Sequence, residues 1–338
     1  MRTIEADSVN EAYACGLSHL RQQGVEQDSR AGKVVVAPTP VTTVYRNPRQ
    51  RVLFNATRDA NPFFHLMESL WMLAGRNDAT WLDLFVKDFS ARFAEEQGVQ
   101  HGAYGYRWRN HFDVDWGGEV GLTDQLDTVV RLLKADPNDR RVVIQMWDPI
   151  ADLGVDKRDV PCNLCVLPRI RTELVSQLHR KQVLDITVFC RSNDAIWGAY
   201  GANAVHFSVL QEYLAARIGV GVGRYYQISN NFHAYQTALE KVGVPRLEGS
   251  PYQDGSVEIT PIVTHPEIFD SDLRGFFISA DTVTYSNGFF PDVAVPMLKA
   301  AKHWRAGDVI AAEQALCAMP AKSDWRVAGM AWLGRRRK

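Results

Sequence analysis

Two apolar runs, Asn163–Ile170 and Val183–Arg191, constrain the fold of this 338-residue chain more than any other feature. In the second, Leu184, Ile186, Val188 and Cys190 alternate with Asp185, Thr187, Phe189 and Arg191. A period of two predicts a strand whose faces meet different surroundings. The first run follows Val160-Pro161-Cys162. The second ends in Arg191-Ser192-Asn193-Asp194, passes a glycine-rich turn and reaches Asn203, where a helical pattern begins. A thiol, a guanidinium, a carboxyl and an amide therefore stand at the ends of elements, where they can face one pocket. A thiol beside arginine is expected to have a lowered pKa and to serve as a nucleophile. An asparagine amide can match an acceptor–donor edge such as O4 and N3–H of uracil. Each residue alone has an ordinary reading, as a buried cysteine, a surface arginine or a helix cap; their joint spacing carries the argument.

The rest of the chain supplies helices and further strands. Helical spacing covers Val9–Gln22, Pro62–Gly75, Ala79–Glu96, Leu122–Lys134, Ala204–Ile218, most of Ala294–Ala318, and Ser323–Leu333. Strands are expected in Val34–Asn47, Val52–Phe54, Val142–Trp147 and Arg224–Ser229, with two short ones after Val242. The linker Arg171–Gln182 exceeds a tight hairpin and is expected to protrude. Within Pro62–Gly75 one residue breaks the apolar character: Glu68 lies among Phe64, Met67 and Trp71. A carboxyl there is costly unless partnered, and desolvation raises its pKa, which suits a general acid or a group that positions water. A paired structural glutamate is the other reading.

Taken in order, Glu68 in HLMESLWML, Tyr104 in GAYGYRWR, Arg140-Arg141 in DRRVVIQMW, Pro161-Cys162, Arg191-Ser192-Asn193-Asp194, Asn203, and His233 and Tyr235 in NNFHAY resemble the thymidylate synthases and the related pyrimidine nucleotide hydroxymethylases. The resemblance spans about residues 40–240. It implies an α/β (α+β) fold with a mixed central sheet and surrounding helices, one catalytic domain over residues 1–338 with a core near 34–290, and a C-terminal helical extension near 291–338. It implies a homodimer formed through the back of the sheet. The reaction it implies is one-carbon transfer from 5,10-methylenetetrahydrofolate to C5 of a pyrimidine nucleoside monophosphate, after Cys162 adds to C6. Glu68, Tyr104 and Asp194 fall at the chemistry. Asn203 falls at the base, Asn163, Arg191 and Ser192 with the nucleotide, and His233 and Tyr235 at the sugar. Arg140 and Arg141 would reach the partner's phosphate. A basic loop, Arg46-Asn47-Pro48-Arg49-Gln50-Arg51, matches a phosphate-binding arginine loop; Arg46 is the residue chosen from it.

Three departures bear on the product. Asn163 follows the nucleophile where the synthases carry His, Ser90 and Phe93 stand where they carry tryptophans, and no closing apolar tail ends the chain. A wetter site favours water over hydride as the final partner of the methylene intermediate. The expectation is hydroxymethylation of dUMP. The alternatives are dUMP methylation, dCMP hydroxymethylation and a catalytically idle nucleotide-binding homologue. The turn GAYGAN is one residue longer than the family pattern, so Ala202 or Asn203 can occupy the base-reading position.

A net charge of −1 supplies no basic field for nucleic acid. No apolar run approaches the roughly 20 residues that span a bilayer, and the first residues carry acids where a signal peptide carries bases. The chain is therefore expected to be cytoplasmic. Five cysteines at irregular spacing fit reduced thiols. Cys162 and Cys165 form a C-x-x-C, but no second pair accompanies it and the following residues look extended, so neither a redox motif nor a metal site is expected and Cys165 is assigned to the core. The last four residues, Arg335-Arg336-Arg337-Lys338, are expected to form a solvated tail.

Overall fold

In the computed structural model, which describes residues 1–115, 120–175, 180–244 and 250–337, the alternating runs build one mixed sheet. Its N-terminal strands are β1 (Arg2–Ala6), β2 (Val25–Ser29), β3 (Gly32–Val36) and β4 (Val41–Tyr45). A separate small hairpin pairs β5 (Asp113–Asp115) with β6 (Val120–Leu122). The main sheet is completed by β7 (Ile144–Gln145), β8 (Asn163–Leu174), β9 (Arg180–Asp194) and β10 (Gly221–Tyr235). The order across it is β1-β4-β10-β9-β8-β7, and the β2–β3 hairpin continues along β10 where β4 leaves off.

Register decides where the site lies. β9 and β10 are parallel, so their ends coincide: Asn231 pairs with Ser192 and His233 with Asp194. β8 is antiparallel to β9, and its first residue, Asn163, lies opposite Cys190. The start of β8 and the ends of β9 and β10 thus meet at one edge.

The helices are α1 (Val9–Gln23), α2 (Pro62–Leu73), α3 (Phe89–Phe93), α4 (Tyr104–Arg109), α5 (Gln125–Ala135), α6 (Pro149–Asp152), α7 (Asn203–Ile218) and α8 (Gln236–Val242), followed by α9 (Phe269–Ser279), α10 (Val295–Arg305), α11 (Val309–Cys317) and α12 (Asp324–Gly334). Asn61 starts α2 by accepting the Phe64 N–H, Pro62 fits its first turn, and Gly75 leaves it at φ +69°. α2 packs against α7, and both are buried nearly all round. Any polar residue on their shared side therefore enters a dry interior. No helix among the described residues is long and apolar enough to cross a membrane.

Several elements differ from expectation. Ala79–Glu96 is not one helix: a 3-10 turn over Ala79–Leu84 and the short α3 are separated at Asp88, whose φ is +57°. Val52–Phe54 forms no strand, because the Asn10 and Tyr252 side chains take its backbone groups. Val142–Trp147 contributes only β7, because the Met146 and Trp147 N–H groups both turn to the Leu164 carbonyl and leave the regular ladder. The linker Arg171–Gln182 is largely ladder, with strand pairing out to Leu174 and from Arg180, stiffened by Arg171 on Asp185 at 2.7 Å; residues 176–179 lie outside the described residues. β10 runs on through His233 and Tyr235 instead of ending at Ser229, since β9 and then β3 continue to pair with it there. After Val242 the described residues hold an isolated bridge, Glu258 with Ser323, in place of two strands. Gly307, at φ +82°, divides the last long helix into α10 and α11.

The C-terminal arginines do not form a free tail. Arg335 and Arg336 close on Asp59, and Arg337 pairs with Glu313. Trp332 meets the Phe63 ring edge-on at 5.5 Å, anchoring α12 to α2. Cys165 is not a core residue either. It shares with Leu167, Phe189, Tyr226 and Ile228 the sheet face opposite Val188 and Cys190, and all five are only partly buried.

Candidate active site

Cys162 stands at the entrance to β8, where the chain is tied down from both sides. The Arg191 backbone N–H donates to the Cys162 carbonyl at 2.9 Å. The Arg191 guanidinium donates to the carbonyls of Pro161 and Val160 at 2.8 and 3.0 Å, and it lies 5.8 Å from the Trp147 ring centroid. From α4, the Tyr104 hydroxyl accepts the N–H groups of Cys162 and Asn163 at 3.2 and 3.3 Å. Its own proton is left free to be donated, and burial holds its pKa well above the ordinary value. The Cys162 thiol departs from expectation: burial raises its pKa, the Arg191 charge opposes that, and Asp159 reinforces it. Desolvation outweighs the cation because the guanidinium is directed at backbone carbonyls.

Behind the thiol runs a chain of amides. Asn163 Nδ2 donates to Asn203 Oδ1 at 3.2 Å, Asn203 Nδ2 to Asn193 Oδ1 at 3.0 Å, and Asn193 Nδ2 to Ser229 Oγ at 3.0 Å. All three asparagines are buried. Asn203 retains one N–H and one carbonyl lone pair for another partner. The residue added to the GAYGAN turn is absorbed by a π-type turn, Ala195–Ala202, and the side chain joined to the amides belongs to Asn203, not Ala202. Asn193 is a member that sequence reasoning missed; its place between two candidate residues was the available signal.

Asp194 caps that turn. One carboxylate oxygen accepts the N–H groups of Ile196 and Trp197 at 2.8 and 2.6 Å, while the other is buried without a partner. Burial raises its pKa against these hydrogen bonds and the neighbouring His233. Ser192, His233 and Tyr235 lie at the same edge, with the two aromatic rings 5.9 Å apart. Beyond the cap, Trp197 is 55% exposed beneath the Arg58 guanidinium, 4.2 Å from its ring centroid. Both line a cavity of about 190 Å³ together with Ile196, Ala238 and Lys241. The indole and the two cations suit a flat heterocycle that carries carboxylates, while Asp59, on the same wall, is neutralised by Arg335 and Arg336.

Glu68 enters from α2, and its Oε2 lies 2.9 Å from His206 Nε2 on α7. It is also near Asp159, whose carboxyl is raised by burial, opposed by a 2.7 Å hydrogen bond from Gln100, and raised further by the Glu68 charge. Neither His206 nor Asp159 carried a sequence signal, since both acquire their setting only when α2, α7 and the loop before Cys162 come together. Arg158, beside Asp159, donates to the carbonyls of Ala91 and Ala94, which ties the segment holding Ser90 and Phe93 to the loop before Cys162. Ser90 is bound to Asp83, and Phe93 is 37% exposed.

The basic residues divide differently from expectation. Arg46 is not brought to this cluster. It binds Asp7 at 2.7 Å just beyond Tyr45, which pairs with Tyr225 far down β10 from His233. Arg51 is buried on Glu212, and Arg49 is exposed. Arg30, in the β2–β3 turn, lies beyond the pairing of Val34 with Tyr235; this hairpin carries a cation towards the site edge that the sequence reading passed over. Arg140 and Arg141 are exposed, and Arg141 folds back on Asp139 at 2.9 Å.

Residues 11–283 match a family model described as thymidylate synthase. The whole chain is 44% identical to the deoxyuridylate hydroxymethyltransferase of Pseudomonas phage M6, covering 95% of that protein. Over 70% of its length it is 35% identical to the deoxyuridylate hydroxymethyltransferase of Bacillus phage SP01, of which 59% is covered. Over 61% of its length it is 30% identical to the thymidylate synthase of human herpesvirus 8, of which 62% is covered.

Proposed function

Because this chain belongs to the thymidylate synthase family of one-carbon transferases, we propose that it hydroxymethylates dUMP at C5, using 5,10-methylenetetrahydrofolate as donor and residues 1–338 as a single catalytic domain. The observation that carries this reading is the full-length likeness to a phage protein named for that reaction. The amide chain behind Cys162 supports the choice of base: the free N–H and lone pair of Asn203 match O4 and N3–H of uracil. The cavity beside Trp197, with Arg58 and Lys241 on its walls, supports a folate, whose bound form supplies the carbon at the formaldehyde level.

Cys162 Sγ adds to C6 and turns C5 into a nucleophile. Its raised pKa means that the thiolate forms with the substrate in place, as the base is positioned against it. The proton lost from C5 passes to water, with Tyr104 as a relay that gives up its own hydroxyl proton as it takes one, and Glu68 serves the water that completes the product. Arg191 and Ser192 bind the nucleotide, His233 and Tyr235 the sugar, and Asp194 shapes the turn that presents Asn203. Arg30 is the preferred phosphate contact within the chain.

A homodimer is part of the proposal. The partly buried apolar face formed by Leu167, Phe189, Tyr226 and Ile228 supports a partner there, and Arg140 and Arg141 would be donated across the interface to its phosphate. The test is turnover of dUMP against dCMP with the folate donor, alongside Cys162→Ser. The proposal expects product from dUMP, and a variant that binds dUMP without turnover. Undiminished turnover by Cys162→Ser, or product from dCMP alone, would refute it.

A further inference from the structure

His206 is a buried titratable group that the reaction as described does not use. It lies on α7 one turn beyond Asn203, is 4% exposed, and places Nε2 2.9 Å from Glu68 Oε2. That distance is a hydrogen bond's but the alignment is not: both imidazole nitrogens and Glu68 Oε2 are buried without a hydrogen-bond partner. Unsatisfied polar atoms gathered at one point mark a place that another polar molecule completes. The pair is on the reaction side of α7, because His206 shares a helix face with Asn203, whose side chain is bonded to Asn163 beside Cys162. The titratable groups facing it are His65 on the same side of α2, Arg58 behind His65, and Asp159 from the loop before Cys162.

We propose that His206 is the positioning residue that holds Glu68 for the hydration step and thereby directs the methylene intermediate to a hydroxymethyl product. In that step the oxygen of a water bonds to the exocyclic methylene carbon at C5. The methylene π pair moves through C5–C4 onto O4. Its return restores the C4 carbonyl, forms the C5–C6 double bond and expels Cys162 Sγ as thiolate. The proton from the water passes to Glu68, whose carboxylate His206 keeps aimed and with which it shares that proton. This role rests on the hydroxymethylase reading and adds a residue to it.

The test follows one turnover of [5-³H]dUMP with the folate donor by His206→Asn and His206→Gln. It measures tritium release, nucleotide product and the mass of quenched protein; dUMP binding by calorimetry verifies each fold. The inference expects a rapid release near one tritium per site and a nucleotide–methylene adduct on Cys162. Hydroxymethyl product should follow roughly 100-fold more slowly than in the wild type, with partial rescue in His206→Gln, whose amide can reach the Nε2 position. Tritium release slowed in step with product, without adduct, would mean a merely structural histidine and overturn the inference alone. So would unchanged kinetics, or a histidine that no variant can replace without losing dUMP binding. A wild type that yields methylated nucleotide and dihydrofolate overturns the hydroxymethylase reading and this role together.

Discussion

Cys162 lies partly buried beside Arg191, and desolvation raises its thiol pKa against the pull of the neighbouring charge. Alkylation of the free enzyme should therefore inflect above the ordinary thiol range near pH 8.5. Arg191→Gln removes the group that lowers the thiol's pKa, so the inflection should move further up; a downward move in the iodoacetamide rate profile would contradict this assignment. Asn203 was legible as an amide at a helix start, but its partners were not: Asn193 and Asn163 reach it from opposite ends of two strands. Asn203→Asp replaces the N–H donor with an acceptor suited to the cytosine amino group. It should shift the kcat/KM ratio from dUMP towards dCMP by at least tenfold, about 1.4 kcal/mol. An unchanged ratio would place base recognition elsewhere.

At the scale of elements, period and caps served well where a strand or helix has its own pattern, as in β9, α2 and α7. They failed where tertiary partners decide. β10 gained six residues at its C-terminal end because β9 and then β3 continue to pair with it, and a φ of +57° at Asp88 broke a helix that composition favoured. The C-terminal extension is held by contacts no local pattern announces. At the start of α12, Asp324 is buried, accepts the Tyr252 hydroxyl at 3.0 Å, and has its pKa pushed up to about 6 by desolvation. The folded state therefore binds this proton more readily than the unfolded chain. The stabilisation is present below the unfolded carboxyl range near pH 4 and is lost as pH rises through about 6. Holding this carboxyl at about 6 in place of the ordinary value near 4 corresponds to roughly 3 kcal/mol at most. Asp324→Asn keeps one acceptor and carries no charge. Its melting temperature relative to wild type should be more favourable at pH 7.5 than at pH 4.5 by a few degrees; an equal difference at both pH values would count against a charged buried Asp324.

For the whole molecule, the mixed sheet and its layers followed from the order of motifs, whereas the packing of α2, α7 and the loop before Cys162 that brings Glu68, His206 and Asp159 together did not. The proposed dimer makes Arg141 and Cys162 of different subunits serve one site. Mixing Arg141→Ala with Cys162→Ala under demonstrated subunit exchange should recover activity up to about a quarter of wild type, since hybrids form at random and hold one intact site in two. Exchange without recovery would place those arginines outside the partner's site. The central claim is the fate of the methylene carbon, and one measurement decides it: nucleotide and folate products analysed together by mass spectrometry after turnover of dUMP in ¹⁸O-labelled water. The account predicts a nucleotide gaining CH₂OH with its new oxygen from solvent, and an equal yield of tetrahydrofolate. A methylated nucleotide with stoichiometric dihydrofolate would contradict it.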